Sequence, residues 1–364
     1  LPLPSLAASA TVPRIPRALR WRGRLWAMVV LLIVLGLVVG FSASVGSAHI
    51  PFGTVWKIML SKLPWVELDG TWSRNTEIIV LNTRLPRIVL AGIVGTALAV
   101  AGTTYQGLFR NPLADPYLLG VSQGALLGAV IGFTLPFDSH GLSGQSLIPL
   151  FAFIGALGAV LAVYAVARSG RTLPVTSLIL AGVAIGAFLA AVNAYLIIKS
   201  NNEELHGIFN WMLGYFGMSD WNEVVIVLPV AVVGTAALWL YARPLNVMQL
   251  DEEQAQHLGI HVERVKLILL IIATLMTAAA VAFVGTIGFV GIIVPHAVRL
   301  IWGPDHRSLL PLAALVGAIF LILTDTLSRT VTGPEQIPVG VITALAGTPF
   351  FLYLLRTRRR GTFF

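Results

Sequence analysis

The chain has no cysteine, which excludes a disulfide framework, a thiolate metal site, an iron–sulfur cluster and a cysteine nucleophile. Charge is nearly as scarce. Only 11% of the 364 residues are Asp, Glu, Lys or Arg, against about 25% in an ordinary soluble domain, so most of the surface cannot face water. No G-x-x-x-x-G-K-[ST] phosphate loop occurs, and ATP hydrolysis by that chemistry is excluded. The apolar stretches carry almost no ionisable side chain, with Asp325 as the main exception. It precedes Arg329 by four residues, a spacing that pairs two side chains on one helix face. No second buried carboxylate or histidine accompanies it, which speaks against a proton relay. Within the apolar runs there is no Glu-x-x-His spacing and there are no paired carboxylates, and His296 and His306 read as hydrogen-bonded structural residues rather than ligands.

What is present is apolar sequence in long runs. Stretches of about 18 or more apolar residues suffice to cross a bilayer. They occur near Leu25–Val45, Ile88–Leu108, Leu118–Leu135, Leu147–Val166, Leu178–Ile198, Val224–Tyr241, Leu267–Phe283, Leu309–Leu327 and Ile337–Leu355. A shorter tenth, near Ile287–Ile301, is interrupted by Pro295 and is needed to return the chain across the membrane. The first run exceeds the apolar core of a cleaved signal and reads as a retained helix. With both termini in the cytoplasm, every Lys and Arg falls inside except Lys57, Lys62, Arg74, Arg84, Arg87, Lys199 and Arg329, as the positive-inside rule requires. The net charge of +8 therefore reports membrane orientation and not a nucleic-acid surface. The expectation is one all-α integral membrane domain, a ten-helix bundle over residues 25–356. A basic cytoplasmic lead, residues 1–24, is expected to be disordered, and residues 357–364 form a basic cytoplasmic tail. Gly120, Gly124, Gly128 and Gly132 recur every fourth residue, leaving one helix face bare for close approach by another helix.

The polar stretch 244–263, PLNVMQLDEEQAQHLGIHVE, lies between two spans on the inner side. Asp251, Glu252 and Glu253 suit the positive end of a short helix, and Gly259 suits its C-terminal cap. Such a helix is either a lid over the bundle or a surface gripped by a cytoplasmic partner.

This segment resembles the coupling segment of the permease subunits of type II ABC importers for cobalamin, ferric siderophores and haem. The likeness extends to RLPR at 84–87, GLFRNPLADPYLLGVSQGA at 107–125, LILAGVAIGA at 178–187, FNWMLG at 209–214, GTIGFVGIIVPHAVRL at 285–300, DHRSLLP at 305–311 and IPVGVITALAGTPFFLYLL at 337–355. The resemblance implies a subunit that pairs with a second permease copy and binds two ATP-binding cassette subunits inside. Cargo, an iron chelate such as a ferric siderophore or haem, or alternatively cobalamin, would come from a periplasmic or lipid-anchored binding protein outside. It implies the cytoplasmic membrane of a bacterium, no enzymatic activity and no cofactor on this chain, with ATP and magnesium on the partner ATPase. By position it assigns Arg84, Arg87 and Arg329 to binding-protein docking, where guanidinium forks meet carboxylates. Asn111, Pro112 and Leu113 correspond to one cytoplasmic gate and Thr176 and Ser177 to a second. Asp251, Gln254, His257, Leu258 and Gly259 correspond to the ATPase contact. The alternatives from other classes are an ion-coupled secondary transporter and a membrane enzyme.

Overall fold

The structure, a computed structural model, describes residues 17–46, 48–63, 66, 70, 72–135, 144–170, 172–217, 219–332 and 336–358. Among these the protein is nearly all helix, without a strand. The helices are α1 (Arg17–Ser44), α2 (Phe52–Leu60), α3 (Arg74–Ile78), α4 (Leu85–Leu108), α5 (Val121–Thr134), α6 (Gly144–Ala167), α7 (Val175–Lys199) and α8 (Asn202–Met212). After them come α9 (Trp221–Leu240), α10 (Ala242–Val247), α11 (Glu252–His257), α12 (Val262–Val284), α13 (Val290–Trp302), α14 (His306–Thr330) and α15 (Val339–Arg358). Seven stretches are long and apolar enough to cross a membrane, and three shorter apolar helices, 121–134, 290–302 and 339–353, accompany them.

The path containing α4 forms the centre, with 83% of its most apolar stretch buried, against 11% in α1 and 17% in α7. A helix enclosed on all sides must be apolar and slim all round, and α4 meets this with alanines and glycines from Ala91 to Gly107. It packs against α9, α12, α13 and α14, while α5, α6 and α7 pack on one another and α12 touches both groups. A β-carbon on Gly95 of α4 would lie 2.2 Å from the carbonyl oxygen of Gly317 in α14, so the two backbones are in contact.

The glycine row of α5 does face a helix. A β-carbon on Gly128 would stand 1.9 Å from the Phe151 carbonyl oxygen of α6, a backbone atom that no rotamer change can move. Gly128→Val should therefore force α5 and α6 apart and destabilise the bundle by about 1–3 kcal/mol, as overpacking does. Gly158→Val in α6, where nothing lies within 4 Å, is the matched control. Thermal unfolding in detergent would show a lowered midpoint for the first variant only.

Three regions differ from the sequence expectation. The disordered lead was placed over 1–24, but α1 is already helical from Arg17; residues 1–16 lie outside the described residues, as do 359–364 of the basic tail. The stretch 46–83, which separates the first two apolar runs, contains α2 and α3. The second span starts well before Ile88, because α3 runs on through a π-helical turn at Ile79–Arg84 into α4. Pro86 falls in the first turn of α4. The wider turn just before it relaxes the i to i−4 ladder where a proline ring would otherwise collide with it.

Between α12 and α13 the chain is unwound from Gly285 to Phe289, with φ of 75° and 69° at those two residues. Part of the backbone here is held from other elements. The Tyr117 hydroxyl accepts from the Ile287 N–H at 3.1 Å and donates to the Ile287 carbonyl at 3.1 Å, and the Tyr215 N–H donates to the Val284 carbonyl at 2.9 Å.

Candidate functional site

One end of the bundle is organised by the C-terminus of α1. A helix leaves its last carbonyls without partners and carries partial negative charge there, and guanidinium groups from two other helices supply the missing donors. Arg84 donates to the Ala43 carbonyl at 2.6 Å and to that of Ala48. Arg329 donates to the Ser42 carbonyl at 3.1 Å, the Ser42 hydroxyl at 2.8 Å and the Val45 carbonyl at 3.3 Å. The remaining charge is met by Asp325, which is fully buried. Its Oδ2 accepts from Arg329 Nε at 3.1 Å and its Oδ1 from Arg87 Nε at 2.9 Å. Arg87 also donates to Gln336 Oε1 at 2.8 Å.

The i, i+4 pair of Asp325 and Arg329 is thus present, and the three arginines that the resemblance assigns to binding-protein docking are brought together around it and the end of α1. Arg84 and Arg87 are only 6% and 8% exposed, and every one of the three guanidinium groups is held by groups of its own chain. The cause is the end of α1, whose carbonyls attract cations and which no sequence pattern links to residues 84 or 329.

At the other end, α11 is a short helix with both termini closed. Asp251 caps its start, accepting from the Glu252 N–H at 2.7 Å. The Gly259 N–H donates to the Gln256 carbonyl at 2.9 Å and the Ile260 N–H to the Ala255 carbonyl at 3.0 Å, with Gly259 at φ 82°; this is a Schellman ending. Ala255 is the only residue of the turn that is fully buried. Gln254, His257 and Gly259 face outward, as do Leu258 and Leu250 at 65% and 61% exposure.

The two loops expected to act as gates adjoin this segment. Helix α4 ends at Leu108, with Arg110 in the left-handed region at φ 49° and the Asn111 N–H donating to the Gln106 carbonyl at 3.1 Å. The helix therefore stops before Pro112. Asn111 Oδ1 then accepts from the Leu113 N–H at 3.0 Å, forming a side-chain turn. Thr176 and Ser177 lie in the first turn of α7, with Thr176 exposed.

Sequence reasoning missed the ion network behind α11. Lys266 of α12 is 2% exposed, and its ammonium donates to Glu252 Oε2 at 2.7 Å, Glu263 Oε1 at 3.1 Å and the Leu173 carbonyl at 3.4 Å. The signal was legible only in part, as a lysine three residues after a glutamate. Nearby, Asp305 caps α14 and collects Arg24, Arg307 and Asn246. Burial pushes its carboxyl up, but the hydrogen bonds from Arg307 and Asn246 outweigh this and hold it well below the usual carboxylate range. The buried His306 ring shares the Asn246 amide oxygen at 2.7 Å, the structural role expected of it. Among the described residues no group of three or more His, Asp or Glu is placed to hold a metal ion.

The chain is a multi-helix bundle of membrane-crossing length with a capped polar helix exposed at one end. The chain belongs to the FecCD transport family, whose family model matches residues 30–357, and so to the permease subunits of type II ABC importers. It is 44% identical over 362 residues to the cobalamin import system permease protein BtuC of Halobacterium salinarum, covering 97% of this chain and 93% of that one. It is 40% identical over 336 residues to the hemin transport system permease protein HmuU of Yersinia pestis, covering 91% and 95%. A solved metal-chelate type ABC transporter in an inward-facing conformation superposes with a TM-score of 0.77 at 28% identity, covering 91% of this chain and 98% of that one.

Proposed function

We propose that two copies of this chain form the translocation pathway of an ABC importer that takes up a metal chelate. In this reading the seven long and three shorter apolar helices all cross, giving ten spans with both termini in the cytoplasm of a bacterium. Two ATP-binding cassette subunits, carrying ATP and magnesium, grip α11 from inside. A binding protein delivers cargo at the opposite end, where its carboxylates reach Arg84, Arg87 and Arg329 by replacing Asp325 and the α1 carbonyls. Relatives named for cobalamin and for hemin resemble the chain almost equally, so the cargo is assigned as a class: a large, metal-bearing chelate, with cobalamin, haem and a ferric siderophore as its members to test. An ion-coupled mechanism is disfavoured because both oxygens of the buried carboxylate are already taken by guanidinium groups.

The observation that carries the proposal is α11 itself. A six-residue helix capped at both ends, with Leu258 and Leu250 at 65% and 61% exposure on either side of it, offers a preformed surface of mixed polar and apolar character to a cytoplasmic partner. Leu258→Asp should insert a charge into an apolar protein contact, lower the yield of copurified ATPase and abolish ATP-driven uptake, while the bundle's unfolding midpoint stays unchanged. Full transport with undiminished copurification would overturn the assignment. Uptake assays in vesicles with each chelate then identify the cargo.

A further inference from the structure

Glu252 stands in the first turn of α11, where it faces Arg110 of the α4–α5 loop directly and reaches the α6–α7 loop through Lys266 of α12. Its Oε2 accepts from Lys266 Nζ at 2.7 Å, and its Oε1 lies 3.8 Å from Arg110 Nη2. Arg110 is the last residue before the Asn111–Leu113 turn and also reaches Asp251 at 3.4 Å. Lys266 continues to the Leu173 carbonyl, and Glu263 accepts the Leu173 N–H at 2.8 Å. Leu173 is two residues from the start of α7 and three from Thr176. The main chain of the α6–α7 loop is therefore clamped on both its donor and its acceptor by an ion network that ends in α11.

Burial makes the network stiff. Lys266 is 2% exposed, and a buried ammonium that loses one of its carboxylates is left under-compensated. If α11 shifts alone, Lys266 keeps only Glu263 as a carboxylate partner among the described residues, so Lys266 and Leu173 are drawn along with Glu252. Gln249, which lies just ahead of α11, adds a second tie through its amide donor to the Gly107 carbonyl of α4 at 2.8 Å.

We infer that Glu252 is the positioning residue through which α11 moves both inner loops together, by way of Arg110 to the Asn111–Leu113 turn and by way of Lys266 to the start of α7. The inference rests on α11 being the ATPase contact. Lys266 is enclosed within the permease and cannot touch a partner, so it separates transmission within the chain from contact with the ATPase.

The test uses the complete permease–ATPase complex in lipid nanodiscs, since the chain has no native cysteine and spin labels can be placed singly at Thr176→Cys or Leu113→Cys. Distances across the permease pair are measured with and without ATP, alongside uptake and hydrolysis in vesicles. Glu252→Gln and Lys266→Met should each lower transport per ATP by about tenfold, the factor that loss of a charge-assisted hydrogen bond carries, with hydrolysis retained. The nucleotide-dependent distance change at position 176 should shrink in both. The double variant should be no worse than either single one, since both break the same bridge. Wild-type distance changes and wild-type coupling in Glu252→Gln would overturn the inference, as would additive losses in the double variant. If the unsubstituted complex itself shows no response to ATP, the reading of α11 as the ATPase contact fails instead.

Discussion

Asp325→Ala is expected to be the most damaging single substitution at its end of the bundle, costing about 3–5 kcal/mol, the range found when one partner of a buried ion pair is removed. Asp325 is fully buried between Arg87 and Arg329. Without it two guanidinium groups remain in an apolar interior with no counter-charge, where desolvation cannot be offset and mutual repulsion adds to it. Because Arg329 also holds the end of α1, the loss should spread to the packing of α1 on α14. Asp325→Asn, which keeps shape and one acceptor but not charge, should fall between the two. The unfolding midpoint in detergent measures both. A change of less than about 1 kcal/mol for the alanine variant, the level of an exposed ion pair, would show that water reaches the cluster.

Crosslinking Leu113→Cys across the proposed permease pair should abolish cargo release, and reduction should restore it. The Asn111–Leu113 turn is fixed by one side-chain hydrogen bond and the end of α4, so it can shift without unwinding a buried helix. In a chain with no native cysteine any disulfide formed is the intended one. Uptake into vesicles before and after reductant provides the measurement. Transport at full rate through a completely crosslinked pair would place the pathway away from Leu113.

How legible the protein was depended on the range of the interactions. The long spans could be read because bilayer thickness demands a minimum apolar length, and α11 could be read because Asp251 and Gly259 are local cap signals. The glycine row of α5 was equally local, and its facing helix follows from it. What could not be read was set by contacts distant in sequence. Arg87 meets Asp325 across 238 residues, so a hydropathy count saw two arginines near an outer loop where the fold contains a buried charge cluster. The start of the second span was misplaced for the same reason, since Asn82, Arg84 and Pro86 look like a loop until the carbonyls of α1 are brought to them. Lys266 looked like one more inside cation, although the sequence already put Glu263 one turn away.

Helix α13 has 13 residues and α5 has 14, which at about 1.5 Å per residue gives lengths of only about 20 Å. A hydrocarbon layer is about 30 Å thick, so the peptide groups flanking these helices, including the unwound run from Gly285 to Phe289 and the 3-10 turn at Pro116–Leu119, belong at depths where lipid offers no hydrogen bonds. They are tolerable only behind other protein, which is where Tyr117 meets Ile287. Seen from the middle of the bilayer, the protein is thus a sleeve of long, greasy outer helices around an interior in which neutral amide groups and phenol hydroxyls are spread among alkyl side chains.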